Sequence, residues 1–433
     1  MQTLAGASGR DGVAALLERA VADRLEAGSA FFRREAPRIA RCCHRMAERF
    51  AREGRLIALG ADPASRSDAR HVSVEFVHPV IVGKRALPAI ALTAEGGPLG
   101  PQLESVAGAD DIVIGFGLAE PGGAAAETES ALRTAAGRGC MTIRFGPGGA
   151  TSPETLAGSQ EDWLFEPPSG DPSIRQELVE TLYHLLWELV HVFFDHRGLL
   201  EGRSARAVHD TGASSFLYPF LSEGEDDLDA VLADVEASVL MKSAEIGELR
   251  RQTLIEGAVT LEAAAARLRQ AFDSGGRVLA FGNGGSATDA MDVVADFRLP
   301  PVAAWPSRRA LDLTEDTPII TAVANDIGVE EIFQRQVIAY GREGDVALAF
   351  STSGGSENLI EGLAEARRRG LGTIAMVGYD GGRISADALA DHVIVSRSQN
   401  IPRIQEAQAS AYHLLRELVE APVGPDGPAA GSG

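Results

Sequence analysis

Two turns in the second half of the chain carry the residues best suited to chemistry. The first is Gly282-Asn283-Gly284-Gly285-Ser286, which follows the apolar run Val278-Leu279-Ala280-Phe281 and opens a helical pattern. A strand that feeds a glycine-rich turn and then a helix aims backbone N–H groups and the positive helix end at one point, which suits a phosphate. Gly282 and Gly284 leave room for positive φ and close backbone approach, and Asn283 and Ser286 add side-chain hydrogen-bonding groups. The second turn is Ser351-Thr352-Ser353-Gly354-Gly355-Ser356, after another apolar strand and before a helix that starts near Glu357. Its four hydroxyls and its N–H groups can hold a dianionic phosphate monoester without Lys or Arg. An ordinary helix cap needs one hydroxyl, not four. A dinucleotide turn also fits Gly282-x-Gly284-x-x-Ala287, but no acidic residue stands at the expected distance on a following strand. A P-loop is excluded because no Lys follows the glycines.

The elements that position these turns alternate. Residues 11–53 read as helical, with Leu16, Leu17, Val21 and Leu25 at three and four spacings. Apolar strands follow at Arg55–Gly60, Pro88–Thr93, Asp111–Phe116 and Met141–Phe145, and a helix at Ile174–Asp195 closes the half. Residues 198–227 read as a linker. A helical stretch resumes over 228–272, and strands follow at Arg277–Phe281, Ile319–Ala324, Asp345–Phe350, Thr373–Val377 and His392–Val395 before a helix at Arg403–Glu420. Continuous apolar strands between helices predict parallel sheets covered on both faces.

The halves repeat each other at residue level. Gly54–Gly60 matches Gly276–Gly282, and Ser67-Asp68-Ala69 and Glu75-Phe76 fall on Thr288-Asp289-Ala290 and Asp296-Phe297 after a one-residue slip. Gln176-Glu177, Tyr183-His184-Leu185-Leu186 and Glu188-Leu189-Val190 sit on Gln405-Glu406, Tyr412-His413-Leu414-Leu415 and Glu417-Leu418-Val419. The pattern predicts two copies of one α/β domain, over 1–197 and 228–421, with a disordered tail at 422–433.

Composition bounds the partners. The chain has 433 residues, 45% hydrophobic and 23% charged, enough for two cores. A net charge of -21 argues against a nucleic-acid or anionic-membrane partner, which would need clustered Lys and Arg. Cys42, Cys43 and Cys140 make an odd count with no disulfide framework, so a reducing cytoplasm is expected. No signal segment and no run of about 18 apolar residues is legible.

Taken together, Gly282-Asn283-Gly284-Gly285-Ser286, Asn325-Asp326-Ile327-Gly328, Gly341-Arg342-Glu343-Gly344-Asp345, Ser351-Thr352-Ser353-Gly354, and Gln405 with His413 eight residues on resemble the sugar isomerase (SIS) family, nearest its phosphoheptose isomerase branch. The resemblance is strong over about 230–420 and weak over about 11–195. It implies two tandem three-layer αβα sandwiches, each with a mostly parallel five-stranded sheet, and ketose–aldose isomerisation of a sugar phosphate through an enediol(ate). It implies that Ser286, Ser351, Thr352, Ser353 and Ser356 hold phosphate, with Gly284 and Gly285 in the same turn, and that Asn283 and Asp326 contact the sugar. It also implies active sites between subunits, here a homodimer forming a pseudo-tetramer of SIS domains. Some members bind zinc through His, Glu, Gln and His; no nucleotide cofactor is implied.

Each half departs from the pattern differently. The family's His-x-x-x-Glu becomes Asp292 and Asp296 in the second half, with Gln405 and His413 on the closing helix. Asp296 and His413 are then the candidate acid–base pair there. A metal held by two Asp, Gln405 and His413 would be a harder ion. The first half keeps His71, Glu75, Gln176 and His184, the candidate metal set, with Glu75 and His184 also candidate catalytic groups. Its phosphate turns are lost: Asp62 would repel phosphate, Pro63 removes a donor, and Gly117–Gly122 has no hydroxyl. Gln176 and His184 stand about 12 Å apart along one helix, too far for one ion without help. These complementary losses suggest a composite site, in which the second half grips phosphate and the first supplies His71, Glu75 or His184. The alternative is a non-catalytic phosphosugar-binding or protein-docking module, which the replacement of Glu by Asp296 favours.

Overall fold

The computed structural model describes residues 9–80, 84–118, 123–146, 161–195, 199–200 and 227–421. The expected linker at 198–227, residues 119–122 of the first-half turn and the tail lie almost wholly outside these. The described residues fall into two compact units: one within Ala27–Glu245, the other within Met1–Glu26 and Ile246–Gly433. The units therefore cut through two helices, α1 (Gly9–Ala51) and the later Leu228–Glu256.

The unit within 27–245 contains β1 (Leu56–Gly60), α2 (Pro63–Val77), β2 (Ala89–Thr93), α3 (Leu99–Val106), β3 (Ile112–Gly115), α4 (Gly123–Gly137), β4 (Met141–Phe145), β5 (Asp162–Phe165) and α5 (Pro172–Asp195). Its sheet order is β2-β1-β3-β4-β5, with every pair parallel. Alternate residues face opposite layers, as strand geometry dictates. Leu56, Ala58, Ile112 and Ile114 pack with Phe31, Phe76, Leu182 and Trp187. Ile57, Leu59 and Val113 pack with Leu99, Leu103 and Leu132. Val231, Val235 and Val239, from the start of α6 (Leu228–Glu256), complete the first layer.

The other unit holds the end of α6, then α7 (Ala258–Asp273), β6 (Val278–Gly282), α8 (Gly285–Arg298), β7 (Ala310–Asp312), α9 (Thr317–Asp326), α10 (Ile332–Tyr340), β8 (Val346–Ser351), α11 (Glu357–Arg368), β9 (Gly372–Gly378), α12 (Gly382–Ala386), β10 (His392–Ser396) and α13 (Ile401–Glu420). Its sheet runs β10-β9-β8-β6-β7, again all parallel. Read from the other edge this is the same topology as the first sheet. Val278, Ala280, Leu348 and Met376 face Leu261, Val294 and Leu415, with Leu16, Leu17, Ala20 and Val21 of α1 in the same layer. Leu279, Phe281, Ala347 and Val377 face Phe333, Leu359 and Leu363. Both units are thus three-layer αβα sandwiches. Each fully buried Leu, Ile or Phe stabilises its layer by roughly 1.5–3 kcal/mol.

Two local expectations are corrected. Ile319–Ala324 is helix α9, not a strand: Asp316 accepts the Ile319 N–H at 3.0 Å, and Pro318 sits in the first turn, where its missing N–H costs nothing. The edge strand beside β6 is instead β7, only three residues long, and the unexpected β5 is also short, at four. The helical stretch 228–272 is present as expected, as two helices divided at Gly257.

Candidate functional site

In the unit that holds β6 to β10, the chain leaves β6 toward β7 on one side and β8 toward β9 on the other, while β6 and β8 are neighbours. The crevice outside the carboxyl ends of two such diverging strands is where open α/β sheets bind ligands. Both sequence-identified turns lie there, Gly282 pairing with Phe350 in the ladder beneath them.

Local conformation explains the glycines. Gly284 caps α8 with φ of 57°, and that cap makes no side-chain hydrogen bond. Gly354 has φ of 63°, and a Cβ there would lie 2.1 Å from the Gly381 carbonyl oxygen, so only glycine fits. Its N–H donates to Ser351 Oγ at 2.9 Å, and the Gly355 N–H donates to Ser353 Oγ at 3.3 Å. Ser356 caps α11, also without a side-chain cap bond. Two helix N-termini therefore meet the crevice with their first N–H groups uncapped by side chains, an arrangement that favours an anion. Ser286 and Ser351 are buried, Gly285, Thr352 and Ser356 half-buried, and Asn283 and Ser353 exposed.

Two residues that sequence reasoning missed support these turns. Asn358, in the first turn of α11, exchanges two amide hydrogen bonds with Asn283, each 2.9 Å. Gln408 of α13, fully buried, donates from Nε2 to the Ser351 carbonyl at 3.2 Å. The Ser356-x-Asn358 spacing was the available signal for the first. Asp326 ends α9 exposed, its Oδ1 accepting from Asn325 at 2.7 Å. Gln405 is buried on α13.

Further along α8 lies an acid–base cluster. His413 Nε2 stands 3.7 Å from Asp292 Oδ2 and 3.8 Å from Asp296 Oδ2. Tyr412 donates its hydroxyl to Asp292 Oδ2 at 2.6 Å. Burial, then the neighbouring Asp292, pushes the Asp296 carboxyl up to about 7, against the opposing pull of His413 and Arg416. A carboxyl poised there can take or give a proton at neutral pH.

The same positions in the other unit hold different chemistry. His184 Nε2 lies 3.3 Å from His71 Nε2, and the Tyr183 hydroxyl lies 3.0 Å from His71 Nδ1. Glu75 Oε1 is 3.9 Å from His71. The ligand atoms of His71, Glu180 and His184 all fall within 4.8 Å of one another, and all three residues are buried. Glu180 was not foreseen, although Glu180-x-x-x-His184 puts both side chains on one helix face. It stands between Gln176 and His184, one turn from each. Burial, and His184 beside it, holds the His71 ring well below the usual histidine range, in the neutral form that ligates metals. A tetrahedral zinc with Zn–N bonds of about 2.0–2.1 Å sets its ligand atoms about 3.3–3.4 Å apart, which the His71–His184 separation matches. The residues present therefore fit such an ion.

The phosphate turn of this unit is closed from within. Asp62 Oδ1 accepts the Ser65 N–H at 2.9 Å, and Ser65 Oγ accepts the Asp62 N–H at 3.0 Å, a capping box on α2. The carboxylate thus occupies the helix end that a phosphate would need. Gly117, with φ of 75°, brings the backbone after β3 against that carboxylate.

Comparison with known proteins agrees with this geometry. The SIS domain family matches residues 243–378. The phosphoheptose isomerase of Chlorobium phaeobacteroides is 38% identical over 207 residues, which is 47% of this chain and 88% of that protein. That of Chlorobaculum tepidum is 39% identical over 194 residues, 44% of this chain and 92% of that protein. The crystal structure of tagatose-6-phosphate ketose/aldose isomerase from Escherichia coli covers 93% of this chain and 92% of its own, with a TM-score of 0.55 at 12% identity, a likeness of fold alone. The chain belongs to the SIS family, in its phosphoheptose isomerase branch.

Proposed function

We propose that the protein is a ketose–aldose isomerase acting on a sugar phosphate, with sedoheptulose 7-phosphate the leading substrate. One observation carries the reading: two helix N-termini, of α8 and α11, meet uncapped by side chains at the crevice between β6 and β8. Relatives at 38–39% identity are phosphoheptose isomerases, which supports the same class.

In this reading the phosphate sits against Ser286, Ser351, Thr352, Ser353 and Ser356, and Asn283 orients the sugar. Asp292 and Asp296 lie six and ten residues beyond Ser286 on α8, about 9 and 15 Å along its axis. A ligand gripped at the helix start must extend far to reach them, which suits a long chain phosphorylated at its far end. Ionised Asp296 removes a C1 proton of the ketose, exchanges it with solvent, and delivers a proton to C2. His413 serves the two oxygens as the proton on O1 and O2 is exchanged.

The family also implies zinc, and here His71, Glu180 and His184 would hold it, with Tyr183 orienting His71. A bound zinc supplies Lewis-acid polarisation of oxygen.

A second reading, a phosphosugar-binding module without turnover, is favoured by the burial of Asp292, Asp296 and His413, each no more than 5% exposed. Assaying aldose phosphate formation from sedoheptulose 7-phosphate, with and without zinc, separates the two. Binding without product would support the module.

A further inference from the structure

We infer that Asn358 is a positioning residue: it holds the Asn283 carboxamide toward the sugar and ties the two phosphate turns together. The inference rests on the isomerase reading of the β6–β8 crevice and deepens it.

The two carboxamides exchange Nδ2-to-Oδ1 bonds in both directions, 2.9 Å each, across 75 residues of sequence. Asn358 is 7% exposed and belongs to the rigid first turn of α11, whereas Asn283 is exposed in the loop that opens α8. The buried partner therefore fixes the exposed one. A reciprocal pair uses one N–H and one oxygen lone pair of each amide. Asn283 keeps its second N–H and second lone pair, enough to meet one hydroxyl or carbonyl of a substrate. Without the clasp, the Asn283 side chain must be ordered at each binding event, which weakens binding.

The clasp also couples loops that otherwise follow different strands. It joins the turn after β6 to the helix after β8, so the α8 and α11 N-termini keep one spacing. In the other unit Ala61 stands where Asn283 would, and Asp62 caps the helix instead. The clasp and the open phosphate turn are lost together.

A double-mutant cycle on the full chain tests this. Steady-state kinetics with sedoheptulose 7-phosphate are measured for wild type, Asn283→Ala, Asn358→Ala and the double variant. A structural control is the thermal melt of each, and Asn358→Ser serves as a second variant should Asn358→Ala not fold. Because Asn358 acts through Asn283, each single change lowers kcat/KM by about tenfold, and the double variant is no worse than Asn283→Ala. KM for the sugar phosphate carries more of the loss than kcat. Multiplying effects, or an Asn358 variant with wild-type kcat/KM, overturns the inference while leaving the isomerase reading intact. Absence of turnover and of sugar-phosphate binding by the wild type overturns both.

Discussion

His413 Nε2 lies 3.8 Å from Asp296 Oδ2, two buried groups on α13 and α8 that face each other beneath the sheet's carboxyl edge. Asp292, which accepts the Tyr412 hydroxyl, also faces His413, and Arg416 Nε donates to the Asp296 backbone carbonyl at 3.4 Å. Its proton is held to about 7, mainly by burial and then by Asp292. In the proposed mechanism the ionised form is the base, so kcat/KM should rise as pH passes about 7 and level off above it. Asp296→Asn should remove that limb and lower kcat by about 10²–10⁴. The check is a pH–rate profile of both proteins.

The same group makes a stability prediction. Its folded pKa lies above its ordinary value of 3.8, so folding favours the protonated form. That contribution is fully present below about pH 4 and is lost as pH rises through about 7. The Tm of Asp296→Asn relative to wild type should therefore climb between about pH 4 and pH 7. A constant difference across that range would argue that the carboxyl titrates normally.

At the phosphate turns, Ser353→Glu places a negative charge beside the N-terminus of α11. We expect KM for a sugar phosphate to rise by at least about tenfold, with competition by inorganic phosphate weakened in parallel. Gly354→Ala should cost more than about 2 kcal/mol in denaturant melts, since φ of 63° and the 2.1 Å approach to Gly381 both oppose a Cβ.

The cluster in the other unit predicts metal content. Zinc stoichiometry, read by competition with a chromophoric chelator, should fall on His71→Ala, His184→Ala and Glu180→Gln. Tyr183→Phe should weaken affinity by about 10–100-fold, because the hydroxyl beside Nδ1 orients the His71 ring. Full retention by Glu180→Gln would return the third ligand to Glu75 or Gln176.

Asp62→Ala should destabilise the protein by about 0.5–2 kcal/mol, the usual cost of losing a side-chain cap, measured by denaturant unfolding.

Most of the fold was legible because buried parallel strands leave continuous apolar runs, as in Leu56–Gly60 and Val346–Ser351. Two edge strands, β5 and β7, were not: Ala310–Asp312 is three residues long and only half covered. Ile319–Ala324 misled because β-branched residues serve a helix when Asp316 and Pro318 begin it. At the site, glycines and hydroxyls before helices were readable from local chemistry alone. Asn358, Gln408 and Glu180 were not, because their roles depend on partners 57 to 109 residues away. The Tyr preceding His in both halves was visible as a repeat, but its bond to residue 71 or 292 needed the packed helices.

The central claim is turnover at the β6–β8 crevice. Incubating the full chain with sedoheptulose 7-phosphate in deuterated water, and following the products by NMR, tests it most directly. The account predicts an aldose phosphate carrying solvent deuterium at C2, and loss of that product in Ser353→Glu and Asp296→Asn. Sugar-phosphate binding without product or exchange, with and without zinc, would contradict it.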